Sequence, residues 1–327
     1  MKEKKIIYTG IVLLSALLAL MTLLLLSGCT EYDMAEEAGE REVNVRINIT
    51  THDANPNIAG TRATVDETAI NNALVLVYNA SQVYEKKGNI SGTGLTLTLR
   101  EGMKYIFVVA NPCPGLLARL TSTPPPTYTA LTDMVSEAAD YNDGNYPPHG
   151  LLMSGTAEKT ITVNSSDNNV EVNLSYCTAR IDLYIRKGSS DVDNITLSKV
   201  ELKNARSMGY LFKDAAYDTG KANNTLTLLS NQINTYTAGS DGTHVGTQYA
   251  YPATDAADLA FQITLRHANA LTQDTYTVYP NAANSASPGS TLKRGKQYKV
   301  IVTFSKDEQS NLNVSAYTTI DNNFVIG

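Results

Sequence analysis

Val170-Glu171-Val172-Asn173-Leu174-Ser175-Tyr176-Cys177-Thr178-Ala179-Arg180-Ile181-Asp182-Leu183-Tyr184-Ile185 is the stretch on which the reading of this chain turns. Apolar side chains fall at 170, 172, 174 and 176, then at 179, 181, 183 and 185. A period of two marks β-strands with one buried face. The phase changes between Tyr176 and Ala179, so a break or a bulge is expected there.

The same alternation recurs outward in both directions. It appears at Val43, Val45, Ile47 and Ile49; at Leu95, Leu97 and Leu99; at Phe261, Ile263 and Leu265; at Tyr298, Val300, Val302 and Phe304; and at Leu312, Val314 and Ala316. Residues 74–78 and 105–110 are apolar at successive positions and read as central strands covered on both faces. A second phase change lies between Leu197 and Val200, where another bulge or break is expected. Turns are expected at Lys87-Gly88-Asn89, Asp167-Asn168-Asn169, Arg186-Lys187-Gly188 and Asp241-Gly242. Only the spacing of Leu131, Met134, Val135 and Ala138 looks helical, and it reads as a short excursion from a sheet. So many strands with so little helix predict an all-β chain of antiparallel sandwiches, and its 327 residues suggest two of them, dividing near residue 177.

The N-terminal end has the layout of an export leader: Lys2, Glu3, Lys4 and Lys5, an apolar run over 11–26, then Ser27, Gly28 and Cys29. The run is short for a bilayer span, so cleavage is favoured over an uncleaved anchor. Leu26-Ser27-Gly28-Cys29 resembles the lipobox of bacterial lipoproteins, which implies that Cys29 is acylated and becomes the new N-terminus. Cys113 lies in the loop-like Asn111-Pro112-Cys113-Pro114-Gly115 and Cys177 in a strand pattern, so two buried thiols are favoured over a disulfide.

Charge and motifs narrow the function. The net charge is −6, the body after residue 62 stays acidic, and no basic cluster offsets it, which excludes a phosphate-backbone partner. His52, His149, His244 and His267 are scattered without ligand spacing, and no nucleophile elbow, phosphate loop or paired Cys-x-x-Cys occurs. Asp140, Asn142 and Gly144 hint at a calcium loop, but Asn145 and Leu151 stand where that loop needs Gly and Glu, so a turn is expected. Gly88, Gly92 and Gly94 open no helix and make no dinucleotide site. No catalytic residue, metal ligand or cofactor is therefore assigned. The absence of Trp weakens a sugar-stacking site, which would have to use Tyr or Phe.

One constellation is informative. The alternating strand at residues 43–49 is followed by a polar stretch ending in Thr61-Arg62-Ala63-Thr64. A cut after Arg62 would detach the acylated end together with one complete amphipathic strand. With the lipobox, the strand at 73–79, Tyr105-Ile106-Phe107-Val108-Val109-Ala110-Asn111-Pro112, Leu152-Met153-Ser154-Gly155, the motif Ala179-Arg180-Ile181-Asp182-Leu183 and Gly295-Lys296-Gln297-Tyr298-Lys299-Val300, the chain resembles the fimbrillin family, lipoprotein precursors of type V pili in Bacteroidota.

That resemblance implies two transthyretin-like antiparallel β-sandwich domains in tandem. It divides the chain into a signal peptide over 1–28, a propeptide over 29–62 with the removable strand, an N-terminal domain over 63–177 and a C-terminal domain over 178–327. It implies a cut between Arg62 and Ala63 by an arginine-specific protease and departure of the strand bearing Val43, Val45, Ile47 and Ile49. A donor strand bearing Leu312, Val314, Ala316 and Ile320 then fills the neighbour. The expected role is a shaft subunit at the outer membrane and in the surface fimbria, supporting adhesion. Its implied partners are identical subunits, accessory tip and anchor proteins, and the membrane through the lipid. The tail lacks the aromatic close expected of many relatives, which leaves the donor register open. Competing readings are a tip or anchor subunit, a monomeric glycan-binding surface lipoprotein and, behind these, a hydrolase on a β-scaffold.

Overall fold

The computed structural model describes residues 41–51, 66–141, 144–187, 195–217, 224–229, 242–253, 260–267, 274–278, 292–306 and 312–321. The chain is all-β, with three short helices among these residues. In its N-terminal half, seven strands form one sheet: β1 (Glu42–Thr51), β2 (Ala73–Asn79), β3 (Tyr84–Ile90), β4 (Gly94–Arg100), β5 (Gly102–Ala110), β6 (Met153–Ile161) and β7 (Asn169–Tyr176). Their order is β3-β2-β5-β6-β7-β1-β4.

β6 and β7 pair only at Met153 with Tyr176 and Ser154 with Ser175. Gly155 permits this close pass, since a Cβ on it would stand 2.3 Å from the Asn173 carbonyl oxygen. The two ends of the order meet again through Gly88 of β3, whose Cβ would collide with Leu95 of β4. Val75 and Val77 of β2 and Ile106 and Val108 of β5 thereby share one buried cluster with Val45 and Ile47 of β1, Leu97 and Leu99 of β4 and Val170 and Val172 of β7.

β2 and β5 are buried on their second face too, as their unbroken apolar runs predict. Leu74, Leu76, Tyr78, Phe107 and Val109 meet Leu116 and Leu120 of α1 (Pro114–Leu120), Leu131 of α2 (Tyr128–Thr132) and Tyr141 of α3 (Ala138–Tyr141). The helical excursion is thus longer and more broken than residues 131–138 indicate, and Val135 bridges to Tyr210 outside any helix. Cys113 ends the loop and caps α1, its sulfur accepting from Leu116 N–H at 3.5 Å. Both Cys113 and Cys177 are buried free thiols.

The C-terminal half contains two four-stranded sheets. One orders β10 (Asn224–Leu229), β9 (Ile195–Ala205), β12 (Ala260–His267) and β13 (Asp274–Val278). The other orders β11 (Thr243–Ala250), β8 (Ala179–Lys187), β14 (Gln297–Lys306) and β15 (Leu312–Asp321). Leu197, Val200, Leu202, Phe261 and Ile263 of the first sheet share a core with Ile181, Leu183, Val300, Val302 and Phe304 of the second. The expected irregularity near residue 198 is a β-bulge. Thr264 pairs with Lys199 and Leu265 with Leu197, which skips Ser198 and turns both Leu197 and Val200 inward.

Three local expectations change. Lys87-Gly88-Asn89 lies inside β3, where Gly88 makes room for Leu95 instead of turning the chain. Arg186 and Lys187 extend β8. The sheets are not wholly antiparallel: β1 pairs with β7, and β8 with β14, in parallel. Each of these pairs joins strands far apart in sequence, and only a tight hairpin imposes antiparallel pairing.

Candidate functional site

β1 occupies an inner position of its sheet, between β7 and β4. It pairs with β7 from Arg46 opposite Asn169 to Thr51 opposite Leu174. Toward β4, the Ile49 N–H donates to the Thr93 carbonyl at 2.9 Å. Val45 and Ile47 are 0% exposed and Ile49 is 4% exposed, while Val43 packs partly buried on the same cluster. At about 1.5–3 kcal/mol per fully buried aliphatic side chain, the three deepest contribute about 5–9 kcal/mol gross.

The opposite face of β1 is polar and tied to its neighbours. Thr98 Oγ1 of β4 donates to Asn44 Oδ1 at 3.0 Å, and Thr50 Oγ1 donates to Asn173 Oδ1 of β7 at 2.5 Å. Gly94 lets β4 close in, since a Cβ there would stand 3.2 Å from the Ile47 carbonyl oxygen. An empty place between β4 and β7 would therefore expose two strand edges and an apolar floor, which folded proteins avoid. Most of β7 depends on this neighbour, because its pairing with β6 ends after two positions.

The chain that follows is fastened independently of β1. Glu67, 2% exposed, receives both Nη1 contacts of Arg180 of β8 at 3.0 and 3.1 Å. Arg180 Nε donates to Asp182 Oδ1 at 3.0 Å, and Asp182 also accepts from Thr247 Oγ1 at 2.5 Å and Gln297 Nε2 at 2.6 Å. Tyr176 and Tyr146 donate their hydroxyls to the carbonyls of Glu67 and Asp66 at 3.1 and 2.8 Å. Asn111, at φ 56°, donates to the Ala69 carbonyl and accepts from Asn71 N–H, both at 2.8 Å.

The two carboxylates respond to burial differently. Burial raises Glu67 above the ordinary glutamate value despite the opposing Arg180 charge. At Asp182, burial pushes the acid up, but the His244 ring 3.8 Å away, the Arg180 charge, and bonds from Thr247 and Gln297 outweigh it and hold the acid below its ordinary value.

Cys29, Arg62 and Ala63 lie outside the described residues. Val43, Val45, Ile47 and Ile49 stand together on the inward face of β1. Leu312, Val314, Ala316 and Ile320 lie on β15, an edge strand of the chain's own C-terminal half, opposite Lys306, Phe304, Val302 and Tyr298 of β14. The network of Glu67, Arg180 and Asp182 has no counterpart among the residues assigned a role from sequence. Arg180 and Asp182 hold the polar phase of a strand flanked by β11 and β14, yet they are only 4% and 0% exposed. Among the described residues, no group of His, Cys, Asp and Glu could hold a metal ion. Asp140 instead accepts the Cys113 and Glu137 N–H groups at 2.7 and 2.8 Å.

A sequence profile of the family described as fimbrillin-A associated anchor proteins Mfa1 and Mfa2 matches residues 32–326. The chain belongs to this family. As a member of the Mfa1 and Mfa2 anchor family it is a fimbrial component at the cell surface, and the family is one of structural proteins, not an enzyme class. A search of curated protein sequences finds no match.

Solved structures share the fold of this family member. A protein assigned to cell adhesion from Bacteroides eggerthii is 18% identical with a TM-score of 0.58, the match covering 86% of this chain and 95% of that one. A fimbrial assembly protein from Parabacteroides distasonis is 18% identical with a TM-score of 0.56, covering 86% and 99%. The tip fimbrial protein Mfa3 from Porphyromonas gingivalis, truncated at its C-terminus, is 16% identical with a TM-score of 0.54, covering 85% and 99%.

Proposed function

We propose that this chain is a fimbrial subunit that joins its fibre by strand exchange at the β1 position and so supports adhesion. The supporting observation is that the first described strand fills an inner place of the sheet while the chain from Asp66 onward is fastened by other contacts. In this reading Cys29 carries the lipid that holds the precursor at the outer membrane. An arginine-specific protease cuts between Arg62 and Ala63, and β1 leaves. A strand from a neighbouring subunit then restores the hydrogen bonds and the buried apolar surface, as in strand addition elsewhere. Such links do not close on themselves and therefore propagate. In a shaft of identical copies the incoming strand is β15, with its Leu312, Val314, Ala316 and Ile320.

The family description favours a second placement, an accessory subunit at the end of the fibre, as does the fold likeness to a tip protein. An anchor in that role keeps both β1 and the lipid. N-terminal sequencing of the protein recovered from the cell surface distinguishes the two. A start at Ala63 is expected of a subunit that exchanges β1; a blocked start at Cys29 rejects exchange and leaves the anchor.

A further inference from the structure

We infer that the β1 position selects against this chain's own tail and takes its replacement strand from a different subunit, one presenting Val or Ile at three alternate positions. This inference rests on the exchange reading above and names its partner.

The three deep places are those of Val45, Ile47 and Ile49. A strand entering them must keep the period of two, because a slip by one residue puts its polar phase inward. For the tail, that slip brings Asn313, Ser315 and Tyr317 to the floor. Among the in-phase registers, the one that aligns residues 312–320 with 43–51 is the most similar: Asn313, Val314 and Thr319 match Asn44, Val45 and Thr50. Asn44 and Thr50 are the residues whose side chains bond to Thr98 and Asn173, so the outward contacts are kept. The floor fares worse, since Ala316 replaces Ile47 and Thr318 replaces Ile49. A shift of two residues one way offers Leu312, Val314 and Ala316; the other way offers Ala316, Thr318 and Ile320. Each of these three registers places Ala316 where Val or Ile is buried, a further shift of two brings Ser310 or Asn322 to the floor, and protein cores do not collapse freely around such a gap.

The tail also has a place of its own. β15 pairs with β14 from Leu312 opposite Lys306 to Asp321 opposite Gln297, beside the buried row of Tyr298, Val300, Val302 and Phe304. Donating it would uncover that edge. The chain is thus a poor acceptor for another copy of itself and suited to a foreign strand of fuller side chains.

The test uses the full chain, cut after Arg62 by limited trypsin with β1 still in place. A labelled peptide of residues 42–51 is exchanged in and challenged with unlabelled peptides. The expected result is that peptide 311–321 competes on the order of 100-fold less well than peptide 42–51. The same tail peptide carrying Ala316→Ile and Thr318→Ile should recover most of the difference. Equal competition by the unmodified tail overturns the inference, and so does a substituted tail that remains weak. Failure of peptide 42–51 itself to enter rejects strand exchange, and the inference with it. In the uncut chain, Ile47→Ala with Ile49→Thr reproduces the tail's side chains in place; an unchanged urea midpoint would also overturn it.

Discussion

Arg180 stands between two carboxylates, and the two are not equivalent. Asp182 is held below its ordinary value, so it adds stability above the unfolded value of about 3.9, and that stability is lost as pH falls through the lower folded value. Glu67 is raised, so its contribution has the opposite sign: it favours the fold at low pH and that favour disappears as pH rises through the folded value. Asp182→Asn should therefore destabilise the chain by about 1.5–3 kcal/mol at neutral pH, because it weakens the charged hydrogen bonds with Arg180, Thr247 and Gln297 while Glu67 still pairs with Arg180. Glu67→Gln, which imitates the protonated acid, should cost less. Urea unfolding followed by circular dichroism measures both, and equal losses would contradict the assignment. In Asp182→Asn the decline in midpoint on acidification below about pH 4 should flatten. The Arg180–Asp182 pair lies within one strand, but the partner that completes the network is not legible locally, because Glu67 and Arg180 lie 113 positions apart.

β1, β2, β5, β7, β8 and β14 could be read directly from the chain, since each buries one or both faces of a regular apolar pattern. β3 and β6 could not: Tyr84-Glu85-Lys86-Lys87-Gly88-Asn89-Ile90 and Gly155-Thr156-Ala157-Glu158-Lys159-Thr160 lack such a pattern and are held by backbone pairing to β2 and β5. The direction of β1 was hidden for a related reason. Alternation specifies which face is buried, and parallel and antiparallel neighbours satisfy it equally. The dependence of β7 on β1 yields a prediction. A chain produced from Ala63 onward without β1 should expose the edges of β4 and β7 and associate, seen as large species on size exclusion, and added peptide 42–51 should return it to monomer. A monodisperse chain without the peptide would show that the place can stand empty.

The two halves share a buried cluster in which Leu76 and Phe107 join Ile181, Val200 and Phe304. They should therefore unfold together, tyrosine fluorescence and far-ultraviolet circular dichroism following one urea transition. Two resolved transitions would show halves that are stable apart. The parallel pairing of β1 with β7 bears on the fibre as a polymer. An incoming segment that keeps this sense can enter with its N-terminal end at one side of the sheet only. Under the proposed strand exchange every link would carry the same arrow, the fibre's two extremities would present unlike surfaces, and elongation would have a chemically defined front.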